Sequence, residues 1–123
     1  MADSQFLLTV PDALIESAQK KIAPSAHFEP PNHLRVLDRD EFRRLVLDAG
    51  LEIERQTTYG FYWSIWWCLF WACDHDLEAP WHPALRRWTQ AWGELMETPQ
   101  GPRMKRLLDE FMPKSQAILA RKP

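Results

Sequence analysis

The chain lacks most of the features that identify a cofactor-binding or nucleic-acid-binding protein. Its four glycines are Gly50, Gly60, Gly93 and Gly101, and they are too far apart to form a GxGxxG loop or a P-loop. These 123 residues therefore contain no recognisable loop for a phosphate or adenosyl group. Lysine and arginine form no cluster longer than two residues, and the formal net charge is -2, which argues against a nucleic-acid partner.

Other absences narrow the possibilities further. Cys68 and Cys73 are the only cysteines, and in a helix they would project about 140° apart, so we expect two thiols and no disulfide. The four histidines have no metal-site spacing, so no metal site is expected. No apolar run reaches the roughly 20 residues of a transmembrane helix. The N-terminal MADSQF resembles neither a signal nor a transit peptide, and we therefore expect a cytoplasmic location.

The N-terminal third begins with a predicted strand and helix. Phe6 to Val10 is a short apolar run stopped by Pro11, a pattern typical of a buried strand. Asp12 can then cap a helix. The apolar stripe predicted for this helix consists of Leu14, Ile15, Ala18 and Ile22.

A second helix and strand follow a proline-containing loop. Asp38 and Glu41 have the spacing of a capping box. The helix that they begin is predicted to bury residues at i, i+3, i+4 and i+7, namely Phe42, Leu45, Val46 and Ala49. Gly50 ends this helix, and the alternation of apolar and polar residues from Leu51 to Gln56 predicts a strand with one covered face.

The C-terminal segment predicts a helix and a central strand. The helix begins at Gly101, ends before Pro113 and is expected to bury Met104, Leu107, Leu108 and Phe111. Ser115 to Arg121 has a continuously apolar centre, which favours a central place in a sheet. Three strands and about five helices in the order β-α-α-β-α-α-α-β indicate an α/β or α+β fold, with α/β as the expected class, in a single domain spanning residues 1–123.

The stretch 57–73 is the most unusual part of the chain, because it has no charge and holds four of the seven tryptophans. One helical face carries aromatic residues at i, i+3, i+4, i+7 and i+8, namely Trp63, Trp66, Trp67, Phe70 and Trp71, and the opposite face is apolar too. Three interpretations remain open: a core helix, the wall of an apolar ligand pocket, or a contact with a protein or membrane. A second aromatic stripe, which contains Trp88 and Trp92, is predicted to pack on the first within a Trp/Phe-rich helical insert of about 61–112.

Three segments carry a resemblance to a known family: FLLTVPD, PPNHLRVLDRDEFRRLVLDAGLEIERQ and PKSQAILARKP. Together they resemble the C-terminal half of a class I S-adenosylmethionine-dependent methyltransferase of the small Rossmann-like kind, similar to methyltransferase type 11/12 domains. The resemblance implies a partial Rossmann-like fold with a three-stranded mixed sheet, in which the last strand is antiparallel and central. The family's cofactor loop belongs to the other half.

The resemblance also implies a function. S-adenosylmethionine enters as a cofactor by resemblance only, and none is expected for the isolated chain. Methyl transfer to a small, apolar acceptor would require a complementary cofactor-binding half that pairs with the open strand 6–10, an edge through which a homodimer could form instead. The alternative is a non-catalytic binding or interaction module that uses a Trp-rich helical surface.

The candidate site residues follow from the same comparison and from the aromatic pattern. The resemblance places His33 on the loop that faces the acceptor, where it could orient a hydroxyl or take its proton; the alternative is a loop histidine bonded to backbone. Arg35 could bind an acidic substrate group or pair with a nearby aspartate. The candidate substrate-binding residues are Asn32, Arg35, Tyr59, Trp63 and Trp67.

Overall fold

The computed structural model describes residues 4–24, 36–74 and 76–123. Within these ranges the chain forms three strands and five helices in the predicted order. The elements are β1 (Gln5–Pro11), α1 (Ala13–Gln19), α2 (Arg39–Asp48), β2 (Glu52–Tyr59), α3 (Phe61–Ala72), α4 (Pro83–Met96), α5 (Gly101–Phe111) and β3 (Ser115–Arg121). The predicted α/β class is confirmed.

The sheet has the strand order β1-β3-β2, so the last strand of the chain lies in the centre. Ile118 of β3 is paired with Leu8 of β1 on one side and with Gln56 of β2 on the other, and both pairings are antiparallel. The prediction of a central, antiparallel last strand is therefore confirmed. β1 and β2 run in the same direction but are separated by β3, so the described ladders are both antiparallel, where a mixed sheet would also contain a parallel pair.

The outer side of β1 presents hydrogen-bonding groups away from the sheet. The N–H of Asp12 donates to the carbonyl of Lys114 at 2.9 Å, and Ser4 accepts from the N–H of Lys122 at 3.1 Å. Because hydrogen-bonded and non-bonded positions alternate in an antiparallel ladder, the even-numbered residues of β1 face β3. The N–H groups of Leu7 and Thr9 consequently point outward, where the described part of the chain places no further strand.

One face of the sheet is covered by α2. Phe42 and Val46 of this helix pack on Ile118 and Ala120 of β3, and we call these four residues the sheet core. On the opposite face Leu7 is 70% exposed and borders a shallow depression next to Leu119, which is half-buried. The described residues thus cover the two faces of the sheet unequally.

The start of α2 matches its sequence signal. The side chain of Asp38 accepts a hydrogen bond from the N–H of Glu41 at 2.8 Å, and this bond holds the pKa of the Asp38 carboxyl below its usual value. The prediction that Leu45 and Ala49 are buried is wrong, since both are exposed. A helix lying on a flat sheet buries only a narrow stripe, and Phe42 and Val46 fill it here.

The helix α1 buries a different face from the one predicted. Ile15 is buried, but Leu14 is exposed and Ile22 lies exposed beyond the helix end. The buried face also carries Glu16 and Gln19. Both polar side chains have partners: Glu16 pairs with Lys114 at 3.3 Å, and Gln19 bonds to an indole of α3. Tertiary partners, which a periodic pattern does not reveal, decide the orientation of this helix.

The helix α5 departs most from its predicted face. Met104, Leu107 and Phe111 are exposed, Phe111 by 71%, whereas Asp109 is buried. The carboxylate of Asp109 accepts from the N–H of Phe61 at 2.9 Å, and its carbonyl accepts from the hydroxyl of Thr58 at 2.9 Å. These bonds rotate the helix so that an acidic residue faces inward, and they connect α5 to the end of β2 and the start of α3.

The turn from β2 into α3 requires glycine. Gly60 has a φ of +90°, a left-handed conformation that other residues adopt only with strain. A Cβ there would also come within 3.1 Å of the Cβ of Lys114. This close approach brings α3 against the sheet end at which β1 and β2 both terminate.

Candidate functional site

The helices α3 and α4 pack through aromatic rings. Trp66, Phe70 and Leu85 are buried at the centre of this contact, and with the rings around them they form what we call the aromatic cluster. Trp66 and Phe70 stack with centroids 5.4 Å apart. Trp88 of α4 stacks on Tyr62 of α3 at 6.0 Å. The predicted packing of the second aromatic stripe on the first is confirmed.

Hydrogen bonds fix several of these rings. The indole N–H of Trp88 donates to the carbonyl of Tyr62 at 3.0 Å, and that of Trp71 donates to the side-chain oxygen of Gln19 at 3.1 Å. The hydroxyls of Tyr62 and Thr89 lie 2.6 Å apart. The rings are therefore held in place by directional bonds in addition to apolar packing.

A cleft of about 480 Å³ opens beside the aromatic cluster. Its volume lies within the range of small-molecule sites. It borders Tyr59, the last residue of β2, and so lies near the end of the sheet at which β1 and β2 both finish. Its lining residues come from β2, the turn after it and three helices: Tyr59, Gly60, Tyr62, Trp63, Thr89, Trp92, Gly93, Lys105 and Asp109.

Most of the polar groups of the cleft already have partners. Lys105 forms an ion pair with Asp109, whose carboxylate also accepts the N–H of Phe61. Because an ammonium group has three N–H donors and the side chain of Lys105 is half exposed, it retains donors for a ligand. In the pair formed by Tyr62 and Thr89, one hydroxyl donates to the other, which leaves one hydroxyl hydrogen for a further acceptor.

Gly93 gives the cleft part of its width. It lies inside α4, where glycine lowers helix stability relative to alanine. No atom lies within 4 Å of the position that its Cβ would occupy, so packing within the described chain does not require glycine there. Gly93 thus lines the cleft with backbone alone, and a side chain there would meet open space.

Two of the predicted substrate-binding residues, Tyr59 and Trp63, line this cleft together. Trp67 does not line it: its ring packs against Trp66 and Phe70 at centroid distances of 5.0 and 5.1 Å. The remaining candidates, Asn32, His33 and Arg35, lie outside the described residues.

The structure adds cleft residues that the sequence reasoning did not select. Trp92 belongs to the second aromatic stripe, and Thr89 and Gly93 each follow a tryptophan of that stripe in the sequence of α4. Lys105 and Asp109 are an i, i+4 pair on α5. Their spacing is visible in the sequence, but it is also the spacing of many solvent-exposed helix pairs.

A thiol–imidazole contact also escaped the sequence reasoning. Cys73 Sγ lies 3.6 Å from Nδ1 of His82. The same nitrogen accepts the N–H of Ala84 at 3.1 Å and so caps α4, which makes it unsuitable as a base for the thiol. Burial raises the pKa of the Cys68 thiol above its usual value.

Neither a metal-ligand group nor a glycine-rich loop is found among the described residues. In the described ranges no group of three or more His, Cys, Asp or Glu side chains is arranged to hold a metal ion. Gly50 follows α2, Gly60 precedes α3, Gly93 lies within α4 and Gly101 begins α5, so the glycines do not meet in one loop. The described glycines therefore form no glycine-rich loop of the kind that the resembled family uses for its cofactor.

Comparison with known proteins gave no match to a protein-family model, a curated protein or a solved structure. None of the helices in the described ranges has both the length and the apolar character needed to cross a membrane.

Proposed function

We propose that this chain is the acceptor-binding half of a class I S-adenosylmethionine-dependent methyltransferase. In this proposal it takes part in methyl transfer to a small, apolar acceptor only when a cofactor-binding half complements it. The observation that carries the proposal is the sheet: β3 is central and antiparallel between β1 and β2, as the resemblance implies for the last three strands of that family. Its outer strand β1 also presents N–H groups to which a further strand could pair.

The position of the cleft supports the same proposal. Ligands of open α/β sheets bind beyond the carboxyl ends of the parallel strands. β1 and β2 run in the same direction, and the cleft borders the carboxyl end of β2 at Tyr59. Its other walls come from helices that connect β2 to β3, the region in which the resembled family commonly varies with substrate. An aromatic, largely apolar lining suits an apolar acceptor.

The division of labour follows from the absence of a glycine-rich loop among the described residues. The described residues supply an acceptor cleft and an outward-facing strand, whereas the glycine-rich loop must come from another polypeptide segment. A second copy of the chain could occupy the same strand, but a homodimer would bring no glycine-rich loop.

To test this proposal, the chain is fused to the cofactor-binding first half of a class I methyltransferase of known structure. The fourth strand of that first half then directly precedes β1. We expect the joined protein to bind S-adenosylmethionine with one-to-one stoichiometry in a calorimetric titration, and the isolated chain to give no heat. Hydrogen exchange provides an independent measurement. The amides of Leu7 and Thr9 should become protected in the joined protein, whereas Leu8 should be protected in both proteins because it faces β3.

A pair of substitutions at Thr9 provides the matched control. Thr9→Pro removes an outward N–H and leaves the β1–β3 ladder intact, while Thr9→Val keeps the N–H and the branched shape. We expect Thr9→Pro to weaken cofactor binding in the joined protein by about tenfold or more, and Thr9→Val to leave it unchanged. A folded joined protein in which Leu7 and Thr9 remain unprotected and no cofactor binds would overturn the proposal, as would saturable cofactor binding by the isolated chain.

One observation favours a second candidate, a non-catalytic binding module. The cleft has aromatic and largely apolar walls, which suit an apolar ligand whether or not a reaction follows. A module of this kind would bind an apolar ligand and shift its tryptophan emission to the blue. It would not respond to S-adenosylmethionine, whether or not a second half is supplied.

A further inference from the structure

We infer that the cleft binds a planar aromatic molecule that carries an acidic or other hydrogen-bond-accepting oxygen, with its ring beside Gly93 and its oxygen towards Lys105. Only the identification of this molecule as the methyl acceptor rests on the proposed function. The binding itself follows from the walls, the width and the charges of the cleft.

The walls of the cleft favour a flat ring. Tyr62, Trp63 and Trp92 present aromatic side chains to it, and their mutual packing fixes their planes: Tyr62 and Trp63 meet edge to face at 4.9 Å, and Tyr62 and Trp92 are tilted at 6.1 Å. Rings held in this way offer both faces and edges to another ring at little cost in side-chain entropy. A flexible alkyl chain would gain less from them, because it must lose its own conformational freedom.

The open space beside Gly93 can accommodate the ring of the ligand. The glycine at position 93 leaves helix backbone exposed to the cleft, with open space where a side chain would lie. Glycine permits a ligand to approach a backbone closely. A flat ring can fill this space, so Gly93 acts as a residue that determines which shapes enter.

The charges of the cleft select the polar end of the ligand. Asp109 is buried and already bonded to Lys105 and to the N–H of Phe61, so it has little capacity to attract a cation. Lys105 would repel a cation and retains donors for a carboxylate or phenolic oxygen. The remaining hydroxyl hydrogen of the Tyr62–Thr89 pair supplies a further donor.

The test titrates the chain calorimetrically with three probes: 2-naphthoate, decanoate and a 2-naphthylmethyl trimethylammonium salt. We expect saturable, one-to-one binding of 2-naphthoate. Decanoate and the ammonium salt should each bind at least about tenfold more weakly. Tighter binding of decanoate would overturn the planar ligand, and tighter binding of the cation would overturn the oxygen-bearing one. If none of the three probes binds, the inference as a whole is overturned.

Substitutions then locate the site. Gly93→Leu should abolish 2-naphthoate binding without unfolding the chain, since no atom obstructs a Cβ there. Trp63→Leu should weaken binding by about tenfold, whereas Trp81→Leu should leave it unchanged. The latter is a matched control because Trp81 has similar exposure, 43% against 46%, but lies outside the cleft. Lys105→Met should weaken the binding of 2-naphthoate more than the binding of its uncharged analogue 2-naphthylmethanol. Arg103→Met, on the same helix, should change the binding of neither molecule.

These outcomes are independent of the proposed function. If 2-naphthoate binds at Gly93 and the joined protein does not bind S-adenosylmethionine, the ligand class stands and the methyltransferase proposal fails. If the joined protein binds the cofactor and Gly93→Leu does not change 2-naphthoate binding, the methyltransferase proposal stands and the proposed ligand site fails.

Discussion

The sheet core and the aromatic cluster solve the problem of burial in different ways. The sheet core is small and rests on one helix, so it covers one face of a flat sheet and leaves Leu7 and the outer side of β1 exposed. The aromatic cluster is built from large rings whose polar atoms mostly bond within the cluster or to α1. An antiparallel sheet can leave one face in water and still has unpaired backbone groups along its edges, whereas two helices that share rings can enclose an interior with few additional residues.

The two regions can be observed separately. All seven tryptophans lie between Trp63 and Trp92, so tryptophan fluorescence reports on the aromatic cluster alone. Far-ultraviolet circular dichroism reports on every helix and strand. Coincident transitions by both probes would mean that the two regions unfold together.

The largest expected effect comes from Ile118→Ala. Ile118 is fully buried in the central strand, and its truncation should lower the free energy of unfolding by about 2–5 kcal/mol. We expect the urea transitions of circular dichroism and of tryptophan fluorescence to shift together, because Asp109 bonds α5 to Thr58 of β2, and the side chain of Lys114, next to β3, bonds to Glu16 of α1. A fluorescence transition that stays in place would show that the aromatic cluster unfolds alone. Leu7→Ala, at an exposed site, is the control and should change little.

The next effect comes from Asp109→Ala, which breaks the connection between the two regions. The substitution leaves the N–H of Phe61 without its acceptor, and it should lower the free energy of unfolding by about 1–3 kcal/mol. It should also separate the two transitions, since α5 loses its inward-facing bond. Glu110→Ala, at the exposed neighbouring position, should have no such effect. Urea unfolding followed by both probes checks this, and transitions that remain coincident would contradict it.

A smaller effect of opposite sign is expected for Gly93→Ala. Alanine is the better helix former, and its Cβ meets no atom, so the free energy of unfolding should rise by about 0.4–1 kcal/mol. Gly50→Ala is the informative counterpart. Position 50 has equally open surroundings but a φ of +83°, so alanine should destabilise the chain there. Thermal melts of both variants test whether open space or backbone conformation determines the change in stability when alanine replaces glycine. Destabilisation by Gly93→Ala would show that position 93 is not open.

The smallest effect concerns the cap of α2. The pKa of Asp38 is held low in the folded chain, so its ionised side chain adds stability above the unfolded pKa near 3.8, and this contribution is lost as the pH falls through the lower, folded pKa. Asp38→Asn keeps a capping oxygen without this titration. In thermal melts across pH 2 to 6, a window about the reference carboxyl pKa, the unsubstituted chain should melt at a slightly higher temperature than Asp38→Asn near pH 6, and this difference should disappear at the acid end. A difference that persists there would contradict the assignment.

Much of the fold could be predicted because its signals are local. Asp38 with Glu41, Gly50 and the apolar centre of β3 each specify backbone geometry within a few residues. The buried faces of α1 and α5 could not be predicted in the same way. Glu16, Gln19 and Asp109 are buried because Lys114, Trp71 and Phe61, distant in sequence, provide their partners.

The cleft could be predicted only in part. Tyr59 and Trp63 belong to the conspicuous aromatic segment and were selected for that reason. Trp67 shares the segment but points into the cluster, and a sequence in which both helical faces are apolar does not distinguish the two directions. Gly93 carries no side chain to attract attention, and its role appears only when α4 and α5 are placed beside α3.

Gly101 sets a limit on how this chain can evolve. A Cβ at that position would lie 2.5 Å from the carbonyl oxygen of Leu95 and 2.8 Å from that of Met96, so α5 can start this close to α4 only with glycine. Trp63 and Lys105 on the cleft walls can change as ligands change, since both side chains are half exposed. Gly101 has no such freedom, because a replacement would displace the helix that carries Lys105 and Asp109. Natural variants should therefore differ at Trp63 and Lys105 while keeping glycine at position 101, where α5 begins.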